Sequence, residues 1–232
     1  RMWSNDASRN HPTYYKMWTG MSEGSDRTPT FGENLTYFFR YQVNHMYWRY
    51  FMWNFAGRQN DIQSHGILLS GNEPTSISNG EKDLLHGNWI TGIDFIDEMR
   101  LGPQDNLPVD LANNKGKNKL FCLPLLLGLA GLIFHIKKSP KDSFVVFLLF
   151  FMTGLAIVLY LNQPPAQPRE RDYAYAGSFY AFTIWIGLGV YALYEWTKKI
   201  KQIPDVARAG IIGAVCLFAI PVLMASEEWD DH

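Results

Sequence analysis

The sequence predicts a mainly α, polytopic membrane protein: four transmembrane helices in the second half, preceded by a loop-rich, helix-containing extracytoplasmic segment. Three observations predict it. Residues 120–226 hold long apolar runs with charges confined to the gaps between them, whereas residues 1–119 are polar, aromatic and rich in Asn and Gly. Aromatic residues gather near the ends of the apolar runs, and small residues recur inside them. The mean hydropathy of −0.14 resembles that of a water-soluble protein only because it averages two unlike halves. The break near Lys119 divides the 232 residues into an aqueous part, 1–118, and a membrane part, 119–226.

A helix crosses a bilayer with roughly 17 to 25 predominantly apolar residues. Four stretches qualify: 120–136, 144–161, 174–196 and 209–225. None carries Asp, Lys or Arg in its interior. Glu195 falls in the last turn of the third, within reach of Lys198 and Lys199 as an interfacial ion pair. A soluble helix would need a polar face, and these stretches have none. Gly128, Gly131, Gly154, Ala156, Gly187, Gly189, Gly210 and Gly213 suit close helix approach in lipid. Pro221 predicts a kink in the fourth stretch. Tyr160, Tyr173, Tyr175, Tyr194 and Trp196 fit an interfacial aromatic belt.

Short flanks set the orientation. Lys137, Lys138, Lys141, Lys198, Lys199, Lys201 and Arg208 fall on one side; Lys115, Lys117, Lys119, Arg169 and Arg171 fall on the other. The first set is the larger, so its loops are expected in the cytoplasm. The aqueous segment, the 162–173 loop and the carboxyl end then share the outer face. Residues 1–119 show no basic, then apolar, then small-residue targeting pattern. The expectation is a section of a longer chain, with 227–232 opening a trailing domain.

Ahead of the membrane part, residues 33–55 read as one helix crowded with aromatics, in which Gln42, His45 and Arg49 form a polar stripe at i, i+3 and i+7. Such a helix lies in the bilayer interface or braces the outer segment. Beyond it, 56–118 is punctuated by turn signals and has few apolar runs.

The loop from Asn162 to Tyr173 carries the chemistry. Pro164, Pro165 and Pro168 hold it extended. Arg169, Glu170, Arg171 and Asp172 then alternate in charge at the membrane surface, followed by Tyr173. Two guanidiniums one residue apart can grip a phosphate, with Glu170 and Asp172 fixing their geometry. The plain alternative is a solvated turn with local ion pairs. His45 and Arg49 are supporting residues; no residue is assigned as the catalytic base.

Several function classes drop out. A net charge of −1 lacks the basic balance of a nucleic-acid binder. Cys122 and Cys216 lie in apolar runs and read as small buried hydrophobes. No phosphate loop, HExxH or GxSxG motif occurs. Trp229-Asp230-Asp231-His232 offers too few ligands for a metal site, so no metal and no cofactor is expected. A transporter would want ionisable groups mid-membrane, and there are none.

Two long stretches carry a resemblance: 41–61, YQVNHMYWRYFMWNFAGRQND, and 167–180, QPRERDYAYAGSFY. Both are similar to a family of large bacterial inner-membrane proteins whose eukaryotic relatives are protein O-mannosyltransferases acting on IPT/TIG domains. The resemblance extends over nearly the whole chain, which looks like a middle section of such a protein. It implies a glycosyltransferase of the GT-C type in the bacterial inner membrane, facing the periplasm. The donor would be a sugar on a polyprenyl phosphate, the acceptor a protein or glycan, and the catalytic acid would lie outside this chain. Arg169 and Arg171 would hold the lipid phosphate. The other reading is a non-enzymatic membrane subunit that scaffolds an envelope complex.

Overall fold

The computed structural model describes residues 11–22, 24–69, 77–104, 107–165, 169, 171–198 and 204–229. Positions 70–76, 166–168, 170 and 230–232 lie outside the described residues, and with them Glu170, part of the Pro-rich lead-in and the last three residues of the Trp-Asp-Asp-His end.

The chain is mostly helical. After α1 (His11–Thr19), a capping box starts the aromatic helix. Thr30 Oγ1 accepts from Glu33 N at 3.3 Å, and the Glu33 carboxylate accepts from Thr30 N at 2.7 Å. Two otherwise orphaned helix-start donors are satisfied this way. From there the chain is helical without interruption through α2 (Phe31–Tyr37), a π-helical stretch (Phe38–Trp48) and α3 (Arg49–Phe55).

This helix is the centre of the molecule. Tyr37, Tyr41, Tyr47, Tyr50, Phe51, Trp53 and Phe55 are all buried. On one side α1 lays Tyr15 against Tyr37 and Trp18 against Tyr41, with ring centroids 4.8 and 5.2 Å apart. On the other, Phe51 and Phe55 meet Phe182 at 4.9 and 4.7 Å. Each such aromatic pair adds about 0.5–1.5 kcal/mol beyond burial. The helix joins the amino-terminal segment to the apolar helices.

Short strands close the segment. β1 (Gly57–Arg58) pairs antiparallel with β4 (Asn118–Lys119), and β2 (Ile67–Leu69) pairs with β3 (Ile77–Lys82). Between them lie α4 (Asp94–Leu101) and α5 (Val109–Ala112). The β1–β4 pairing returns the chain to the foot of the aromatic helix, where Leu120 N donates to Ala56 O at 3.1 Å.

The apolar half forms α6 (Leu123–Lys138), α7 (Pro140–Thr153), α8 (Leu155–Leu161), a 3-10 turn (Asp172–Tyr175), α9 (Ala176–Thr197), α10 (Asp205–Leu217), a π-helical stretch (Phe218–Val222) and α11 (Leu223–Glu228). Among the described residues, three helices are long and apolar enough to cross a membrane: Pro140–Leu161, Asp172–Thr197 and Asp205–Glu228. Each extends past the predicted stretch at one end or both. Pro221 sits inside the π-helical stretch, where its missing N–H disturbs the regular ladder.

The stretch predicted at 120–136 differs most. Leu120 is buried beneath the small sheet, and Phe121 and Cys122 adopt left-handed backbone at φ 52° and 53°. The helix therefore begins at Leu123, with Pro124 in its first turn, and has 16 residues. At 1.5 Å per residue it is about 24 Å long. It packs along α9 at very short range: a methyl group on Gly131 would overlap the Trp185 carbonyl, and one on Gly189 the Leu127 carbonyl. Outward-facing Phe144, Val145, Leu159, Ile211, Val215 and Phe218 are exposed. That much contiguous apolar surface is foreign to a water-soluble monomer.

Candidate functional site

The π-helical stretch decides where the predicted polar stripe points. In a π-helix each N–H reaches the carbonyl five residues back, so residues four and five apart share a face. Arg40, Asn44, His45 and Arg49 consequently line one side, facing residues 64–67 and 82–88. Gln42 is turned elsewhere, toward the loop after α8. The i, i+3, i+7 stripe expected from α-helical spacing is split in two.

That loop is gripped by the aromatic helix. Tyr37 Oη donates to Gln163 O at 3.1 Å and Tyr41 Oη to Pro164 O at 3.0 Å. Gln42 Nε2 donates to Asn162 Oδ1 at 3.0 Å and to Gln163 O at 3.1 Å. Carbonyls beyond a helix end have no intrahelical donor, and burial would leave them unpaired. Tyr37, Tyr41 and Gln42 supply those donors. Sequence reasoning missed Gln163 as part of this contact, because backbone carbonyls leave no residue-type signal.

The two predicted guanidiniums occupy unequal positions. Arg169 is exposed, its guanidinium carbon 6.0 Å from the Tyr173 ring centroid, at the outer limit of a cation–π contact. Arg171 is half-buried, and its backbone N–H points at the Tyr50 hydroxyl at 3.4 Å. Its Nε is buried and meets no acceptor among the described residues. Asp172 is exposed and begins the 3-10 turn, with Oδ1 accepting from Tyr173 N at 2.9 Å. Tyr173 is 61% exposed, placing an open aromatic face beside Arg169.

The supporting residues His45 and Arg49 lie on the opposite side of the helix. His45 is enclosed by the rings of Trp18 and Tyr41, with Nε2 3.2 Å from Ser64 O. Burial, then the neighbouring Arg49 cation, holds its pKa well below the ordinary value, so the ring is neutral. Arg49 is also buried: Nε donates to His45 O at 3.0 Å and Nη1 to Gly87 O at 3.1 Å, and its guanidinium carbon stands 4.4 Å from the Tyr50 ring centroid. Tyr50 thus links the two faces, stacked on Arg49 and hydrogen-bonded from Arg171. Among the described residues no group of His, Cys, Asp and Glu comes together as metal ligands.

A family model described as a family of unknown function (DUF8416) matches residues 1–39, which reach from the chain start into the π-helical stretch. No curated protein and no solved structure matches the chain.

Proposed function

We propose that this chain is the donor-binding part of a membrane glycosyltransferase that moves a sugar from a polyprenyl phosphate to a protein or glycan acceptor. The observation that carries the reading is Arg171. A buried guanidinium Nε with no acceptor among the described residues, at the head of an apolar helix long enough to span, asks for an anion at the depth of a lipid headgroup. Arg169 adds a second, exposed cation, and Tyr173 a ring for a sugar or isoprenoid face. The cations would stabilise the departing phosphate. This chain is assigned no general base.

The topology is part of the proposal. Glu228 Oε1 accepts from Asn118 Nδ2, and Glu227 Oε2 from Lys119 N at 2.9 Å, so the end of α11 and the entry to α6 are side by side. The loop after α8 touches the aromatic helix on that same side. Three crossings between Pro140 and Glu228 satisfy both contacts only if α6 crosses as well, which favours a four-helix span. The Lys and Arg distribution favours placing the aqueous segment on the periplasmic face of a bacterial inner membrane. The tight grip on carbonyls 163 and 164 favours the second reading, a structural loop in a scaffolding subunit.

The test is binding of undecaprenyl phosphate to the purified chain. Arg171→Ala should weaken it about ten- to a hundredfold, the worth of a charged hydrogen bond. Arg171→Lys should also lose affinity, since it keeps charge but not the planar fork. If Arg169→Ala and Arg171→Ala both bind as the native chain does, the loop is structural and the scaffold reading stands.

A further inference from the structure

The helix α4 has two unlike faces. Its inner face is fastened. Asp97 is buried, with Oδ1 accepting from Thr91 N at 2.8 Å and Oδ2 from Gly92 N at 2.9 Å, and Leu101, one turn on, is buried too. Arg100 lays its guanidinium carbon 3.6 Å from the Trp89 ring centroid. The outer face is apolar. Phe95 is 74% exposed and Met99 75%, and Ile93 and Ile96 are exposed as well. Phe95 and Met99 are four residues apart and so project from one side. Scattered exposed hydrophobes are ordinary on a protein surface, whereas a cluster on one short helix marks a contact. An eight-residue helix is too short to hold itself formed in water. The inner contacts keep α4 formed, so its apolar side is presented with no folding step on binding.

Lys119 fixes the level at which that side lies. Its Nζ donates to Asp94 Oδ1 at 3.2 Å at the start of α4, and its backbone N–H donates to Glu227 Oε2 at 2.9 Å at the end of α11. Asp205–Glu228 is one of the helices long and apolar enough to cross a membrane. As a span it ends where hydrocarbon gives way to headgroups, which sets α4 at the headgroup level. The apolar surface continues from one to the other. Phe121, exposed ahead of α6, packs over Gly92, where a methyl group would lie 3.2 Å from its ring. Leu123 and Leu126, in the first turn of α6, are exposed beyond it.

We propose that α4 is an interfacial anchor: it lies in the plane of the membrane, and Phe95, Ile96 and Met99 enter the boundary between headgroups and acyl chains. The partner is the lipid bilayer itself, because the outer face of α4 is one edge of the apolar surface that clothes the candidate spans. Asp94, Asp97 and Glu98 make the helix acidic, so the attraction is apolar insertion and not pairing with anionic headgroups. The inference rests on Asp205–Glu228 crossing the membrane and not on the reading of the Arg169–Arg171 loop.

The test is the depth of a nitroxide label on the full chain, in a background of Cys122→Ser and Cys216→Ala, with a single chain in each phosphatidylcholine nanodisc. Collision with oxygen, which concentrates in lipid, and with a neutral nickel chelate, which stays in water, reads that depth. Labels are placed singly through Phe95→Cys, Met99→Cys, Asn113→Cys and Val215→Cys, all at exposed positions that leave the packing undisturbed. The labels at 95 and 99 should lie about 5–10 Å into the headgroup–acyl boundary. The label at 113 should be in water and the one at 215, within the candidate span, in hydrocarbon. Adding phosphatidylglycerol should leave these depths unchanged. Labels at 95 and 99 as open to nickel as the one at 113, with 215 deep, would overturn the anchor and leave the membrane reading intact. All of them in water would overturn both. Labels at 95 and 99 in water in single-chain discs, yet shielded from oxygen and nickel alike in crowded proteoliposomes, would give this face to a second copy and overturn the anchor. A depth seen only with phosphatidylglycerol would overturn apolar insertion as its cause.

Discussion

The Tyr47 hydroxyl lies 2.7 Å from Ser178 Oγ, joining two helices 131 residues apart. Both groups are buried, and Gly154 packs so closely that a methyl group there would stand 2.7 Å from the one and 2.6 Å from the other. The aromatic helix is thereby pinned to the first turn of α9. Removing one partner leaves a buried hydroxyl unpaired, at about 1–3 kcal/mol, whereas removing both is close to neutral. Tyr47→Phe and Ser178→Ala should each lower the thermal midpoint in detergent, and the double variant should lower it no further than the worse single one. Strict additivity in that cycle would mean the bond carries no coupling.

Glycines in the apolar helices divide by what they face. Gly131 and Gly189 let α6 and α9 touch backbone to backbone, while Gly187 has open space around it. Gly131→Ala should force the pair apart and cost about 1–3 kcal/mol or more, as overpacked cores do. Gly187→Ala should be neutral or slightly stabilising, since it raises helix propensity where nothing is displaced. Unfolding in sodium dodecyl sulfate of the two variants side by side checks this. Equal behaviour would contradict the close approach.

These glycines mark where sequence reading stops. Hydropathy located the apolar helices because lipid tolerates few charges over that length, and the aromatic run 33–55 reads as helix from side-chain periodicity alone. The π-register was not legible: nothing in residues 38–48 announces i→i+5 bonding, so Gln42 was grouped with His45 and Arg49 although it faces the opposite contact. The start of α6 was likewise hidden, because Leu120, Phe121 and Cys122 are as apolar as the helix that follows. They belong instead to a sheet edge and a left-handed turn, set by the pairing of Gly57 with Lys119. Of the candidate site, the residue types at 169–173 were visible. The contact of Arg171 N–H with the Tyr50 hydroxyl joins residues more than a hundred positions apart, which no local pattern announces.

His45 should make stability pH-dependent. Its ring is neutral in the folded state because of burial, then Arg49, with His65 and Lys82 adding smaller repulsion and the Ser64 carbonyl opposing them. His65 is shifted down as well, by burial, with Asp83 opposing. The unfolded chain titrates near the ordinary value of 6.5, above the folded pKa. As pH falls below about 6.5 the unfolded state takes up protons that the native state refuses, so stability declines. The fully buried His45 contributes up to about 1.4 kcal/mol per pH unit until its folded pKa is reached. Between pH 7.5 and 5.5 the thermal midpoint should drop in the native chain, and His45→Gln should flatten that drop while lowering the midpoint at neutral pH. An unchanged slope in His45→Gln would assign the dependence elsewhere.

The ends of the apolar half give the final prediction. The contacts of Glu227 and Glu228 with Lys119 and Asn118 hold the exit of α11 beside the entry of α6. If α6 crosses the bilayer, Ser139 at its far end is on the opposite side from Asn113, which precedes β4. With 16 residues α6 falls short of the ~20 usual for a span. Lys137 and Lys138 at its end can reach outward to the interface and make up the difference, as long basic side chains do near helix ends. In a background with Cys122→Ser and Cys216→Ala, single cysteines at Asn113 and Ser139 can be probed in intact cells with a membrane-impermeant maleimide. Asn113→Cys should react, and Ser139→Cys should react only after the membrane is permeabilised. Labelling of both in intact cells would mean that α6 does not cross, and the four-helix span fails. Labelling of Ser139→Cys alone would keep four crossings and reverse the protein in the membrane, moving Arg169 and Arg171 to the cytoplasmic face.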